Sequence, residues 1–321
     1  MPWRGSDLGP YLHRSVLLDA VVDGLLDGLP ARCDIAAGAT FLDCTLGGGG
    51  HSAALLERGP PDCRLVGIDR DGAAIEASCL RLAPYGARAS LRRGAFADLQ
   101  DLAGRDGPFH GIVMDLGVSS PQLDQAERGF SFQSDARPDM RMDDRQPLDA
   151  AGLLDELEED ELADILFKYG DEPRSRRIAR AIVAGRPWTS TRALARCVAE
   201  SSGYQNSRTN PATRTFQALR YAVNDEPRQL ELGLRAAIAA LAPGARLAVI
   251  SFNSIEDRTT KQLFRERAAI GTARDGYGHP LVAPTGRLVH PGGISGADQD
   301  PDNTRARSAR LRFFEASARP T

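Results

Sequence analysis

Apolar residues at positions 16, 17, 18, 21, 22, 25, 26 and 29 recur at the spacing of an amphipathic helix, predicting one over residues 15–29 that Pro30 closes. Short apolar runs follow at 40–45, 64–69, 89–92 and 111–115, each bounded by Gly, Pro or Asp, and these read as strands. Between them, 52–58 and 72–82 read as helices, the second with Asp71 as its N-cap. Strand and helix in alternation predict a doubly wound, mostly parallel α/β sheet. The rhythm stops near residue 119. Helical periodicity at 153–169, 175–184, 191–201 and 213–223, separated by turn dipeptides, predicts an inserted helical domain over 119–225. The sheet domain then comprises 1–118 and 226–321, with a helix at 227–241, a strand at 246–252 and a helix at 255–268. Residues 271–301, rich in Gly, Pro and Asp, read as loop. The alternation of apolar residues and arginine at 308–314 predicts a half-solvated strand.

Composition narrows the class. A chain of 321 residues with 42% apolar and 26% charged residues is that of a soluble globular protein. No run reaches 18 apolar residues, and the N-terminus lacks the apolar core of a signal peptide, so a cytoplasmic chain without a membrane span is expected. Five cysteines with no CxxC pair predict reduced thiols, and five scattered histidines predict no metal centre. Net charge is −3, but the charge is segregated. Residues 174–196 carry seven arginines and no acid, 305–312 carry four arginines and no acid, and 155–164 is dominated by Asp and Glu. Such segregation permits an anionic partner on one face and is equally the pattern of solvated helix faces.

The chemistry centres on TFLDCTLGGGGHS, residues 40–52, where a strand runs into four glycines and then a helix. That arrangement lets a backbone close on a nucleotide-like ligand. Residues 48–53 also satisfy G-x-G-x-x-A, so a nicotinamide dinucleotide has to be weighed. The acids weigh against it. Asp43, Asp69 and Asp115 each end a predicted strand, where an open parallel sheet binds its ligand. Asp69 is placed to accept hydrogen bonds from ribose hydroxyls. Asp43 and Asp115 would repel a pyrophosphate but suit the cationic sulfonium and amino group of S-adenosyl-L-methionine.

At these residues, and in HRSVLLDAV from His13, GIDRDGAAI from Gly67, MDLGVSSPQLDQAERGFSF from Met114, DMRMD from Asp139, NPATRTFQALRYAVNDE from Asn210, LAPGARLAVISFNSIEDR from Leu241 and NTRARSARLR from Asn303, the chain resembles a known family. It is the bacterial small-subunit (16S) ribosomal RNA cytosine-N4 methyltransferase family, called RsmH or MraW. The resemblance implies a methyltransferase (Rossmann-like) sheet interrupted by a helical domain. It implies methyl transfer from S-adenosylmethionine to a cytidine N4 in small-subunit ribosomal RNA, without a metal. Its cofactor contacts fall on Gly49, Gly50, His51, Asp69, Phe96, Asp115 and Gln122.

The exocyclic amine of cytosine is a poor nucleophile, because its lone pair is delocalised into the ring. Acceptors that hold its hydrogens, with in-line alignment, can supply most of the catalysis. Asp115, Ser119 and Ser120 are the candidates, with Asp115 serving cofactor and target both. Asn253 stands where the family has a histidine, so a polar anchor is expected there in place of a titrating base. Phe130 and Phe132 are expected to stack on an unpaired base, with a small hydrophobic staple as the competing reading. Arg137, Arg141, Arg214, Arg305, Arg307, Arg310 and Arg312 are the expected phosphate contacts. The competing functions are a nicotinamide-linked oxidoreductase and a non-catalytic ribosome-binding relative. A homodimer is the expected assembly, and the sequence itself leaves oligomeric state open.

Overall fold

The computed structural model describes residues 14–203, 210–273 and 275–318. His13 and most of the N-terminal stretch weighed as a signal peptide lie outside the described residues. The chain divides into two compact units, Met1–Gly117 with Arg228–Thr321, and Val118–Pro227.

The first unit is built on seven strands: β1 (Thr40–Asp43), β2 (Arg64–Asp69), β3 (Ala89–Arg93), β4 (Phe109–Asp115), β5 (Leu241–Ser251), β6 (Gly286–Ser295) and β7 (Arg310–Ala316). Their spatial order is β3-β2-β1-β4-β5-β7-β6. The first five run parallel, while β7 is antiparallel to both β5 and β6. Phe41, Leu42, Ile68, Ile112, Val113, Met114 and the run from Leu247 to Ile250 are buried. Strands apolar on both faces must be covered by helices on both sides, which is why the central sheet is parallel. The chain steps outward from β1 through β2 to β3, then returns to place β4 on the other flank of β1. The carboxyl ends of β1 and β4 therefore border the point where the order reverses, the place where such sheets bind ligands.

The second unit is helical: Ala150–Glu156, Glu159–Gly170, Ser175–Ala184, Thr191–Ser202 and Ala212–Asn224. These helices bury a core of their own, which includes Leu154, Leu166, Ile178, Ile182, Trp188, Leu194, Phe216 and Leu219.

Four local expectations need correction. The first helix is shorter, Leu18–Leu26. Pro30 does not close it but sits in the opening turn of a separate helix, Leu29–Arg32, where a missing N–H costs nothing. The helix expected over 153–169 is two helices. The Glu158 carboxylate and Glu161 form a capping box that starts the second one afresh. The 271–301 stretch read as loop contains β6, whose pairing with β7 is interrupted between Val289 and Ile294. His290 (φ 56°) and Gly293 (φ 73°) adopt left-handed backbone there, and HPGG, a turn signal within the sequence, hid the strand. Finally, β7 is not half-solvated. Arg312 is buried and bonds Asp257 at 2.7 and 3.0 Å.

Candidate active site

The glycine turn begins at Asp43. Its carboxylate is sealed in, 1% exposed, with Oδ2 accepting from Ser52 Oγ at 2.7 Å and Oδ1 from the Thr45 amide at 3.2 Å. Burial pushes its pKa up to about 6 despite these bonds. Asp69, ending β2, accepts from the Gly47 amide at 2.8 Å and from the Asp71 amide at 2.9 Å, and burial likewise pushes it up to about 6. Asp69 therefore ties the glycine turn to β2, and each of its oxygens keeps a second lone pair for a ligand hydroxyl. Gly49 adopts φ 71° at the N-cap of helix Gly50–Arg58, a left-handed conformation that a side chain would strain. A Cβ on Gly50 would collide with Ser15 Oγ, so the residues before the first helix lie directly on this turn.

His51 is 4% exposed, and its Nε2 lies 3.1 Å from the Val16 carbonyl oxygen, a group that can only accept. Nε2 therefore carries the proton. Burial holds the ring pKa down to about 4, so His51 is neutral and Nδ1 bears a lone pair. That nitrogen stands 3.9 Å from Asp115 Oδ2.

Asp115 ends β4. Its amide donates to Thr45 Oγ1 at 2.6 Å, which ties β4 to the glycine turn. Its carboxylate differs from the other two: Oδ1 is buried and has no hydrogen-bond partner. About a quarter of the side chain, 25%, stays open to solvent. Burial, then the nearby Asp43 and Glu256 carboxylates, push its pKa well above the ordinary range. An orphaned acceptor at the ligand end of a strand is costly unless a ligand uses it. Phe96, after β3, is half-buried with its ring edge against Gly233 and the Arg70 guanidinium 5.8 Å from the ring centre.

The structure gives several expected site residues other work. Asn253 is the N-cap of helix Ser254–Arg267, its Oδ1 accepting from the Ile255 and Glu256 amides at 3.1 Å. Its side chain thus anchors the start of that helix. In the helical unit, Ser119 and Gln122 form a capping box around helix Ser120–Asp124, with Ser119 N donating to Gln122 Oε1 at 2.9 Å, and Ser120 is the first helical residue. Phe130 is buried, 7% exposed, and Phe132 packs edge-on against Phe216 at 5.0 Å, so both serve the helical core and the staple reading prevails. Arg137 is neutralised by Asp149 and Arg141 by Asp139, each through two hydrogen bonds. Arg310 is half-buried and donates to the Gly292 carbonyl at 2.9 Å, and Arg312 is spent on Asp257. Arg214, Arg305 and Arg307 are exposed.

Three residues were missed: Ser52, Thr45 and Glu256, which is 4% exposed and accepts from the Phe252 amide at 2.7 Å. Small hydroxyl residues flanking the glycine run were the available signal for the first two.

The chain is 41% identical over 315 residues to the ribosomal RNA small subunit methyltransferase H of Dehalococcoides mccartyi, covering 97% of this chain and 88% of the relative. It is 46% identical over 315 residues to the protein of that name from Gluconobacter oxydans, covering 96% and 94%. The one from Synechococcus elongatus is 45% identical over 314 residues, covering 97% and 96%. The MraW methylase family matches residues 10–317, and the chain belongs to that family.

Proposed function

We propose that this chain transfers the methyl group of S-adenosylmethionine to the exocyclic N4 amine of a cytidine in small-subunit ribosomal RNA. The observation that carries the cofactor reading is the set of strand-end carboxylates Asp43, Asp69 and Asp115, with Asp115 Oδ1 buried and unpaired. A positively charged ligand relieves that arrangement, whereas a dinucleotide pyrophosphate would worsen it. The near full-length likeness to small-subunit ribosomal RNA methyltransferases supports the substrate.

The site fits the cofactor. Gly49 and Gly50 offer backbone without side chains, Asp69 has lone pairs for the ribose, Phe96 offers a ring for the adenine, and Asp115 offers a carboxylate for the cationic end. His51 fills the wall beside Asp115. S-adenosylmethionine supplies a methyl group on positively charged sulfur, which leaves as a neutral thioether. Asp115, ionised beside that charge, accepts hydrogen bonds from the amine hydrogens. It thereby turns the amine's lone pair toward the methyl carbon and takes up the proton the amine releases. The Ser119–Gln122 box fixes the turn that follows Asp115 in the sequence. We assign the helical unit to substrate recognition.

The test is methyl incorporation from labelled S-adenosylmethionine into small subunits of a strain lacking the modification, with N4-methylcytidine identified after digestion. Incorporation is expected. Absence of label, or calorimetric heat with nicotinamide dinucleotide and none with S-adenosylmethionine, would reject the reading.

A further inference from the structure

The helical unit is electrically polarised along its length. Four of its helices gather their ends pairwise. The C-terminus of Glu159–Gly170 meets the N-terminus of Ala212–Asn224: a Cβ on Gly170 would stand 2.7 Å from the Arg214 carbonyl oxygen, and Gln217 Nε2 donates to the Tyr169 carbonyl at 3.1 Å. The N-terminus of Ser175–Ala184 meets the C-terminus of Thr191–Ser202. There Arg174 donates to the Ser202 carbonyl, and a Cβ on Gly203 would lie 3.3 Å from Arg177 Nη1. Only residues 171–174 separate the two pairs along the chain, so all four ends lie together.

This end is basic. Lys168, Arg174, Arg176, Arg177 and Arg214 are all exposed, and the acids near them are exposed Asp164, Asp171 and Glu200 and the buried Glu172. The acids of 155–161 lie at the opposite end, around the start of helix Glu159–Gly170. On this end sits Phe167, 64% exposed, next to Lys168 in the sequence and one turn before Gly170, the residue that adjoins Arg214 on the neighbouring helix. A large aromatic side chain left in water at a basic helix-bundle end has a physical use: its face stacks on an unpaired base while cations of the same end hold neighbouring phosphates. A duplex would offer Phe167 no base face.

We propose that this end of the helical unit docks a single-stranded stretch of the RNA substrate, with Phe167 stacking on a base and Lys168, Arg176, Arg177 and Arg214 contacting the adjacent phosphates. The proposal rests on the reading of the chain as a ribosomal RNA methyltransferase, and it replaces Phe130, Phe132, Arg137 and Arg141 as the RNA surface.

The test uses the full chain and a short unstructured RNA oligonucleotide, with binding followed by fluorescence anisotropy over a range of salt. Replacing both Arg176 and Arg177 by Glu is expected to weaken binding at least ~10-fold and to flatten the dependence of log affinity on log salt by about 1.4, roughly 0.7 for each lost phosphate contact. Phe167→Ala is expected to weaken binding roughly 5- to 100-fold with the salt slope unchanged, the signature of lost stacking. The matched control, Arg64→Glu with Arg105→Glu, changes net charge equally at exposed positions by the amino ends of the strands and should leave the slope intact.

Variants that bind with wild-type affinity and slope would overturn the proposal, as would binding confined to whole subunits with none to the oligonucleotide, which would show that folded RNA or a ribosomal protein is what this chain docks. Methylation by the wild type is measured in parallel. Surface-dependent RNA binding without methyl transfer would sink the functional reading alone. Methyl transfer with unaffected variant binding would sink the surface alone.

Discussion

The carboxyl ends of β1 and β4 carry the same group on adjacent parallel strands, yet the two carboxylates are treated differently. Asp43 has both oxygens engaged by this chain's own donors and is closed to solvent. Asp115 has one oxygen buried with no donor and a side chain still partly open. One carboxylate holds the turn together. The other is held in place by its backbone and left with unspent hydrogen-bonding capacity. The two differ in what the fold itself satisfies, and strand-end position alone does not separate them.

That contrast can be broken by substitution. Asp115→Asn should lower the methyl-transfer rate by about 100- to 1000-fold, the scale of losing one preorganised electrostatic partner, while leaving thermal stability unchanged or raised. A full rate in single-turnover methylation would end the argument. Asp43→Ala should do the reverse, costing about 2 kcal/mol of stability because Ser52 and Thr45 lose a buried acceptor. Thermal or denaturant unfolding reads this directly, and wild-type stability would show that the turn does not depend on Asp43.

Titration sharpens the comparison further. Asp43 and Asp69 are pushed up to about 6, and Asp115 higher than its ordinary range, by burial first of all. A cationic cofactor favours their ionised forms. Binding should therefore release protons and strengthen as pH rises from about 5 to 7, by up to ~10-fold per unit for each proton released. Calorimetry in two buffers of different ionisation heat detects the release, and identical heats would contradict it. The free protein follows the opposite course. Its raised carboxylates favour the neutral form, so their contribution to stability is complete below about pH 4 and is lost as pH climbs through about 6.

The smallest effect is expected at Asn253. Asn253→Ala should cost about 1 kcal/mol of stability through the lost cap and change the transfer rate by less than about threefold. A large fall in rate with S-adenosylmethionine saturating would restore a chemical role to this residue.

Much of the sheet was legible because its signals are local. Asp43, Asp69 and Asp115 each follow an apolar run, and the structure ends β1, β2 and β4 on those residues. What the carboxylates do there was not legible, since the donors to Asp43 and Asp69 come from Ser52 and Gly47, and these approach only when the turn closes. The ion pairs of two expected phosphate contacts were only partly legible. The pairing of Arg141 with Asp139 spans two residues and could have been read from DMRMD, but that of Arg137 with Asp149 spans a loop. Phe130 and Phe132 looked available because RGFSF resembles a loop, and only the tertiary core shows where the rings go. β6 was hidden because a strand carrying HPGG in its middle looks, over any short window, like a turn.

That interrupted strand has a consequence for the whole sheet. β3 closes one side and β6 the other, and an outermost strand with regular free N–H and C=O groups is a template on which another chain can zip. Residues 290–293 of β6 break its register with β7, and Pro291 among them has no N–H to offer, so the outer ladder of β6 is interrupted there. An interrupted outermost strand is a poorer template for edge-to-edge pairing than a regular one.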